Sequence, residues 1–163
     1  MMGTHTIAID LAKNVFEVAI SKRPGKIASR HRLRRDGFLA FMAQQPTATV
    51  VLEACGSAHC RARSLREVGH QAVPLPPHLV RPYVKGRKTD RTNAAGLLEA
   101  LRCAEIEPVP LESPAQHGIV ALHRMRAAWM QTSTARLILA RRLLRELGIF
   151  SPVRARHVLA ILA

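Results

Sequence analysis

The chain has 163 residues, 48% of them hydrophobic, and carries 25 Lys+Arg against 11 Asp+Glu, a formal charge of +14. That length fits one domain, or one domain with a helical extension, and the apolar content excludes global disorder. No apolar run approaches a membrane span and the first residues lack a signal peptide's apolar segment, so a cytoplasmic protein with no membrane partner is expected.

The basic excess is mostly arginine and points to polyanions, above all nucleic acid. An arginine-rich surface that serves solubility is the plainer alternative. Cys55, Cys60 and Cys103 form no C-x-x-C pair. Cys55, His59 and Cys60 have the wrong spacing for a structural zinc site, and reduced, partly buried thiols are expected.

In chain order, Ile7 and Ile9 mark a first strand, and Phe16, Val18 and Ile20 mark a second with a two-residue period. Ser21 to Lys26 holds Pro24-Gly25 and reads as a turn. Ile27 to Leu33 reads as a third strand, which completes an antiparallel meander. Asp36 suits the N-cap of a helix running to about Gln44, and Pro46 ends it. Thr49 to Glu53 is a nearly all-apolar strand, as expected for a central one. Gly56-Ser57 opens a helix to about Val68, with Ser57 as N-cap rather than nucleophile. Gly69 closes it, and Gln71 to Val73 is a short parallel strand, joined by a right-handed crossover.

Pro74, Pro76, Pro77 and Pro82 then surround a short helix near His78 to Tyr83. Lys85-Gly86-Arg87-Lys88-Thr89 is a basic loop, either a mobile surface loop or a holder of phosphates beside Asp90. Arg91 to Ala104 reads as a helix, with Ala94, Leu97, Leu98 and Leu101 at helical spacing. Ser113-Pro114 is a helix start, serine at N-cap and proline at N1. From there to about Leu147 the chain reads as one long helix. Leu122, Trp129, Leu137, Ala140, Leu144 and Leu147 recur along one side, and arginines populate the others. Such a stripe calls for another helix or another protomer, so a homo-oligomer is expected. Gly148 ends the helix, and Arg154 to Ala163 looks like the start of another.

Three carboxylates stand out, because Asp10 and Glu53 end strands and Asp90 borders the basic loop, with Asn93 three residues on. Asp10 alone suits a turn cap as well as a metal site. Acids at the ends of separate elements can converge to hold Mg²⁺, which prefers oxygen ligands. An actin-like phosphate loop is disfavoured, since Leu11-Ala12-Lys13 offers no glycine.

The words around these acids are more specific. "IAIDLAKNVFEVAI", "VVLEACGSAHCRARSLREVGH", "VPLPPHLVRPYVKGRKTD" and "SPAQHGIVALHRMRAAWMQ" resemble the DEDD-type insertion-sequence transposases from about Ile7 to Phe150. The resemblance implies an α/β fold, a RuvC-like (ribonuclease-H-like) mixed sheet flanked by helices. It also implies Mg²⁺-dependent DNA recombination and a structured guide (bridge) RNA as partner.

The family's first three acids match Asp10, Glu53 and Asp90 as metal ligands, and its fourth falls on Asn93, which completes the catalytic set. Lys13, Lys85, Arg87, Lys88, Arg124, Arg136, Arg141 and Arg145 are the expected nucleic-acid contacts. The expected division is a RuvC-like domain over 1–110, a long basic helix over 111–150 and the start of a linker or C-terminal region over 151–163. In the family a C-terminal domain carries a catalytic serine, while this chain stops at Ala163. The chain is therefore expected to be incomplete and inactive alone. The alternative reading is a non-catalytic nucleic-acid-binding remnant of a transposase.

Overall fold

A computed structural model describes residues 5–24, 26–84 and 90–151, and of residues 90 and 91 the backbone alone. The loop at 85–89 and the helix start expected after Arg154 lie outside the described residues. The chain divides into two compact units, Met1–Glu112 and Ser113–Ala163.

The first unit is built on strands β1 (Thr6–Leu11), β2 (Val15–Arg23), β3 (Lys26–Arg34), β4 (Thr49–Glu53) and β5 (Gln71–Leu75). They form one mixed sheet in the order β3-β2-β1-β4-β5. β1–β2 and β2–β3 are antiparallel, while β1–β4 and β4–β5 are parallel. The meander and the parallel pair are both as the sequence indicates. β2 and β3 run on to Arg23 and from Lys26, closer to the turn than the Ser21–Lys26 expectation.

Helices α1 (Arg35–Ala43), α2 (Ala58–Glu67), α3 (Pro77–Val80) and α4 (Asp90–Ala100) complete the unit, with a 3-10 turn at Arg81–Tyr83. The period-two strands put apolar side chains on both faces of the sheet. On one face Ile7, Ile9, Phe16, Val18, Val50 and Leu52 pack with Phe38 and Met42 of α1 and Ala62 and Leu65 of α2. On the other, Ala8, Ala19 and Val51 pack with Val80 and with Ala94, Leu97 and Leu98 of α4. Removing each large aliphatic or aromatic side chain from water contributes about 1.5–3 kcal/mol. This is a ribonuclease-H-like α/β arrangement.

Two helix starts differ from expectation. α1 begins at Arg35, so Asp36 is in its first turn rather than at the N-cap, where Arg34 stands with no side-chain cap bond. There Asp36 complements the positive end of the helix dipole. Ser57 does occupy the N-cap of α2, but its side chain makes no capping bond. α4 starts at Asp90 and stops at Ala100, short of Ala104. Gly69 ends the α2 region in the left-handed conformation, φ +91°.

After α4 an irregular segment returns along the sheet edge, where the Val109 amide donates to the Pro74 carbonyl at 2.8 Å. Its end is fastened to α2. Arg63 donates to the Glu112 carbonyl at 2.7 Å, and the Glu112 amide donates to Nδ1 of His59 at 3.2 Å. His59 is thus a structural tie, and Cys60 beside it is exposed rather than partly buried.

The second unit is α5 (Pro114–Glu146), 33 residues or about 50 Å long. Its start is a full capping box. Ser113 accepts from the Gln116 amide at 3.2 Å and the Gln116 side chain accepts from the Ser113 amide at 2.8 Å. Gly148, at φ +74°, ends it. The side carrying Leu137, Ala140 and Leu144 is half-buried to buried. A second stripe is not: Leu122, Met125, Trp129, Leu139 and Leu143, successively three, four, ten and four residues apart, are 49–69% exposed.

Candidate metal and nucleic-acid site

Strand order fixes where chemistry can sit. The chain leaves β1 toward β2 and β3 on one side, then returns to β4 on the other. In open α/β sheets, ligands bind outside the carboxyl ends of the strands at such a switch point. Asp10 and Glu53 stand at the carboxyl ends of β1 and β4, the two strands that flank it.

Both carboxylates belong to the α4 face. Ala8 pairs with Val51 on that face, and Asp10 and Glu53 each lie two residues further along their strands. Both are half-buried. The register adds an acid that sequence reading passed over, since Glu17 of β2 pairs directly with Asp10. Paired residues share a face, their Cβ atoms about 4.5–5.5 Å apart, and like charges so placed repel. Glu17 makes no ion pair among the described residues, although Arg32 is its partner on β3.

α4 brings the other half of the site. Asp90 is its first residue and Asn93 lies in the same turn. Asn93 is only 6% exposed, and its Nδ2 donates to Oδ2 of Asp10 at 2.9 Å. The opposite amide orientation would set oxygen against carboxylate, so the donor assignment follows from charge. The Oδ1 of Asn93 is buried with no hydrogen-bond partner among the described residues. α4 can approach this closely because Gly96 faces the 3-10 turn. A Cβ there would stand 2.8 Å from the Val84 side chain and 3.3 Å from the Tyr83 backbone. Tyr83 itself is held above its ordinary pKa, first by the hydrogen bond with Cys103.

Among the described residues no three His, Cys, Asp or Glu side chains are grouped to hold a metal. The Asp90 side chain lies outside the described residues. The donor set is nevertheless of the right chemistry for a hard divalent cation: carboxylate oxygens and a buried amide oxygen that has no partner among the described residues.

Of the expected nucleic-acid contacts, Lys13 is exposed in the β1–β2 turn, and Arg124, Arg136 and Arg145 are exposed on α5. Arg141 is half-buried, its Nε enclosed without a partner among the described residues. Lys85, Arg87 and Lys88 lie outside the described residues. No helix of the described residues is long and apolar enough to cross a membrane.

A family model described as "Transposase", that of the IS110-type DEDD transposases, matches residues 7–149. The chain is 38% identical over 155 residues to a probable family 20 transposase of Pseudomonas aeruginosa, covering 95% of this chain and 46% of that protein. It is 33% identical over 152 residues to the transposase for insertion sequence element IS1328 of Yersinia enterocolitica, covering 93% and 46%. The transposase for IS1111A of Coxiella burnetii is 31% identical over 149 residues, covering 91% and 41%. The chain thus spans less than half the length of these curated relatives. No solved structure matches it significantly.

Proposed function

The chain belongs to the DEDD transposase family, and from that premise we propose that it is the metal-binding, nucleic-acid-binding part of a DNA transposase. Asp10, Glu53 and Asp90 hold Mg²⁺ in this reading, and Asn93 orients Asp10. The supporting observation is the 2.9 Å bond from Asn93 to Asp10. It sets Asn93, in the turn of α4 that Asp90 begins, against the carboxyl end of β1 at the switch point. A divalent ion held there supplies charge that activates an attacking oxygen and stabilises a leaving one. Asn93 is a positioning residue: its amide donates to Asp10 and brings neither negative charge nor a base.

The net charge of +14 and exposed Arg124 and Arg145 of α5 serve the phosphates of DNA and of a structured guide RNA. Leu122, Met125, Trp129, Leu139 and Leu143 form the face on which a second copy of α5 docks, because their spacing follows a 3-4 seam. This replaces Leu137 and Leu144, which are half-buried and buried. The neutral amide at Asn93 favours a second reading, a nucleic-acid-binding domain without strand chemistry. The two readings differ in metal affinity.

The test of nucleic-acid binding is a salt series on duplex DNA. Log affinity should fall with log salt at about −0.9 per neutralised phosphate. Asp10→Asn should leave that binding intact or slightly tighter, since it removes a negative charge beside the phosphates. A flat series, or no binding at low salt, contradicts the nucleic-acid role.

A further inference from the structure

β1 and β4 are parallel, and β3 runs with them because β2 opposes both of its neighbours. The carboxyl ends of β1, β3 and β4 therefore share one sheet edge. α1 follows β3 directly and α2 follows β4, so both helices start at the edge where Asp10 and Glu53 stand. Neither start has a side-chain cap bond.

Two arginines from these helices converge on one ring at this edge. The guanidinium carbons of Arg35 and Arg61 lie 5.8 and 5.4 Å from the ring centroid of Phe16. Phe16 is fully buried and meets Phe38 edge-on at 4.8 Å. The Arg35 amide donates to the Asn14 carbonyl at 3.2 Å, which ties α1 to the turn that carries exposed Lys13. Two arginines and the turn that carries Lys13 thus share the strand ends.

Among the described residues no carboxylate forms an ion pair with them. Asp36 is the neighbouring acid, exposed, and the ion pairs among the described residues involve neither Arg35 nor Arg61. Arg63, two residues beyond Arg61, shows the contrast, since it is committed to the Glu112 carbonyl. Contact with an aromatic ring takes no N–H donor, so both guanidinium forks remain available to oxygen acceptors. Cations held over one ring repel, and an anion bound beside them lowers that cost. Phosphate, which accepts paired guanidinium donors, is the anion such forks fit.

We propose that Arg35 and Arg61, seated on Phe16 with Lys13 beside them, bind the phosphate backbone of duplex DNA at the edge that carries Asp10 and Glu53. The proposal rests on the nucleic-acid reading above and names residues on the α1–α2 face, opposite α4. The backbone held there crosses the strand ends toward the acids. Sequence spacing did not mark these arginines, because they come together only through Phe16.

The experiment is a salt series of duplex-DNA binding by the whole chain, for the parent protein, Arg35→Gln/Arg61→Gln, Arg35→Lys/Arg61→Lys and Arg23→Gln. Arg23 ends β2 at the opposite edge of the sheet. The glutamine pair should lose at least tenfold in affinity, and its salt slope should shrink by about 2, at about 0.9 per contact. The lysine pair should keep the parent's slope, and Arg23→Gln should match the parent. A glutamine pair that binds like the parent overturns the proposal and leaves the nucleic-acid reading standing. So does a lysine pair that loses as much as the glutamine pair together with its thermal midpoint, because the arginines then act by packing on Phe16. If the parent shows no salt-dependent binding, the nucleic-acid reading falls, and the proposal with it.

Discussion

Asn93 occupies the position at which the resemblance places a fourth acid, yet the structure gives it a task that an ionised carboxylate cannot perform. Its amide donates to Asp10 at 2.9 Å. A hydrogen bond to a charged group contributes about 1.5–3 kcal/mol. In metal-free Asn93→Asp, two carboxylates would meet where that bond now stands, and one would hold its proton above the usual carboxylate range. Metal-free protein should therefore lose about 2 kcal/mol at neutral pH. Because the folded pKa is raised, the loss should grow as pH rises through the carboxylate range and fade in acid. Mg²⁺ should restore the midpoint, since an ion that binds only the folded state stabilises it. Thermal melts in chelator and in Mg²⁺ across pH check this. A variant as stable as the parent in chelator at neutral pH would show that position 93 does not adjoin Asp10. His70 is a different kind of buried polar residue. Its Nε2 lies 2.9 Å from the Met42 carbonyl, which fastens β5 to α1 away from the acids. His70→Leu should destabilise by about 1–3 kcal/mol, the cost of leaving that buried acceptor unsatisfied, and leave Mg²⁺ binding unchanged. Loss of Mg²⁺ binding in a folded His70→Leu protein would contradict the assignment of His70 to the fold alone.

At the scale of elements, α4 decides whether the acids meet, and Gly96 decides where α4 lies. The Tyr83 backbone and the Val84 side chain leave no room for a Cβ without adjustment. Gly96→Val should cost about 1–3 kcal/mol through overpacking and should weaken Mg²⁺ binding by shifting the first turn of α4. Unchanged stability and metal affinity in that variant would show that α4 is free to move. The strands bearing Asp10 and Glu53 were legible in the sequence, because short apolar runs that end in a carboxylate announce themselves locally. So was the start of α5, where Ser113, Pro114 and Gln116 form a local cap. The Asn93–Asp10 bond was not, because it joins residues 83 apart and depends on how α4 packs. Glu17 was hidden because the period was counted on the apolar residues Phe16, Val18 and Ile20, while the alternate positions carry the acid. The N-cap was placed two residues late, at Asp36, because α1 starts directly from the extended strand at Arg34. The α5 stripe was misread because two apolar faces share that helix, and only tertiary context shows which is covered.

At the scale of the whole molecule, the sheet brings acids and cations to one edge, while α5 offers a long exposed seam. Leu122→Lys with Trp129→Glu would place charges on that seam. Sedimentation should show the parent self-associating and this variant monomeric, and a monomeric parent at high concentration would contradict docking through α5. The central claim is that Asp10, Glu53 and Asp90 hold a divalent cation at the switch point between β1 and β4. Calorimetric titration of Mg²⁺ into the parent, Asp10→Asn and Glu53→Gln tests it most directly. The parent should bind with measurable heat, and each variant should lose that binding while remaining folded in chelator. Equal Mg²⁺ affinity in all three would contradict the metal site itself.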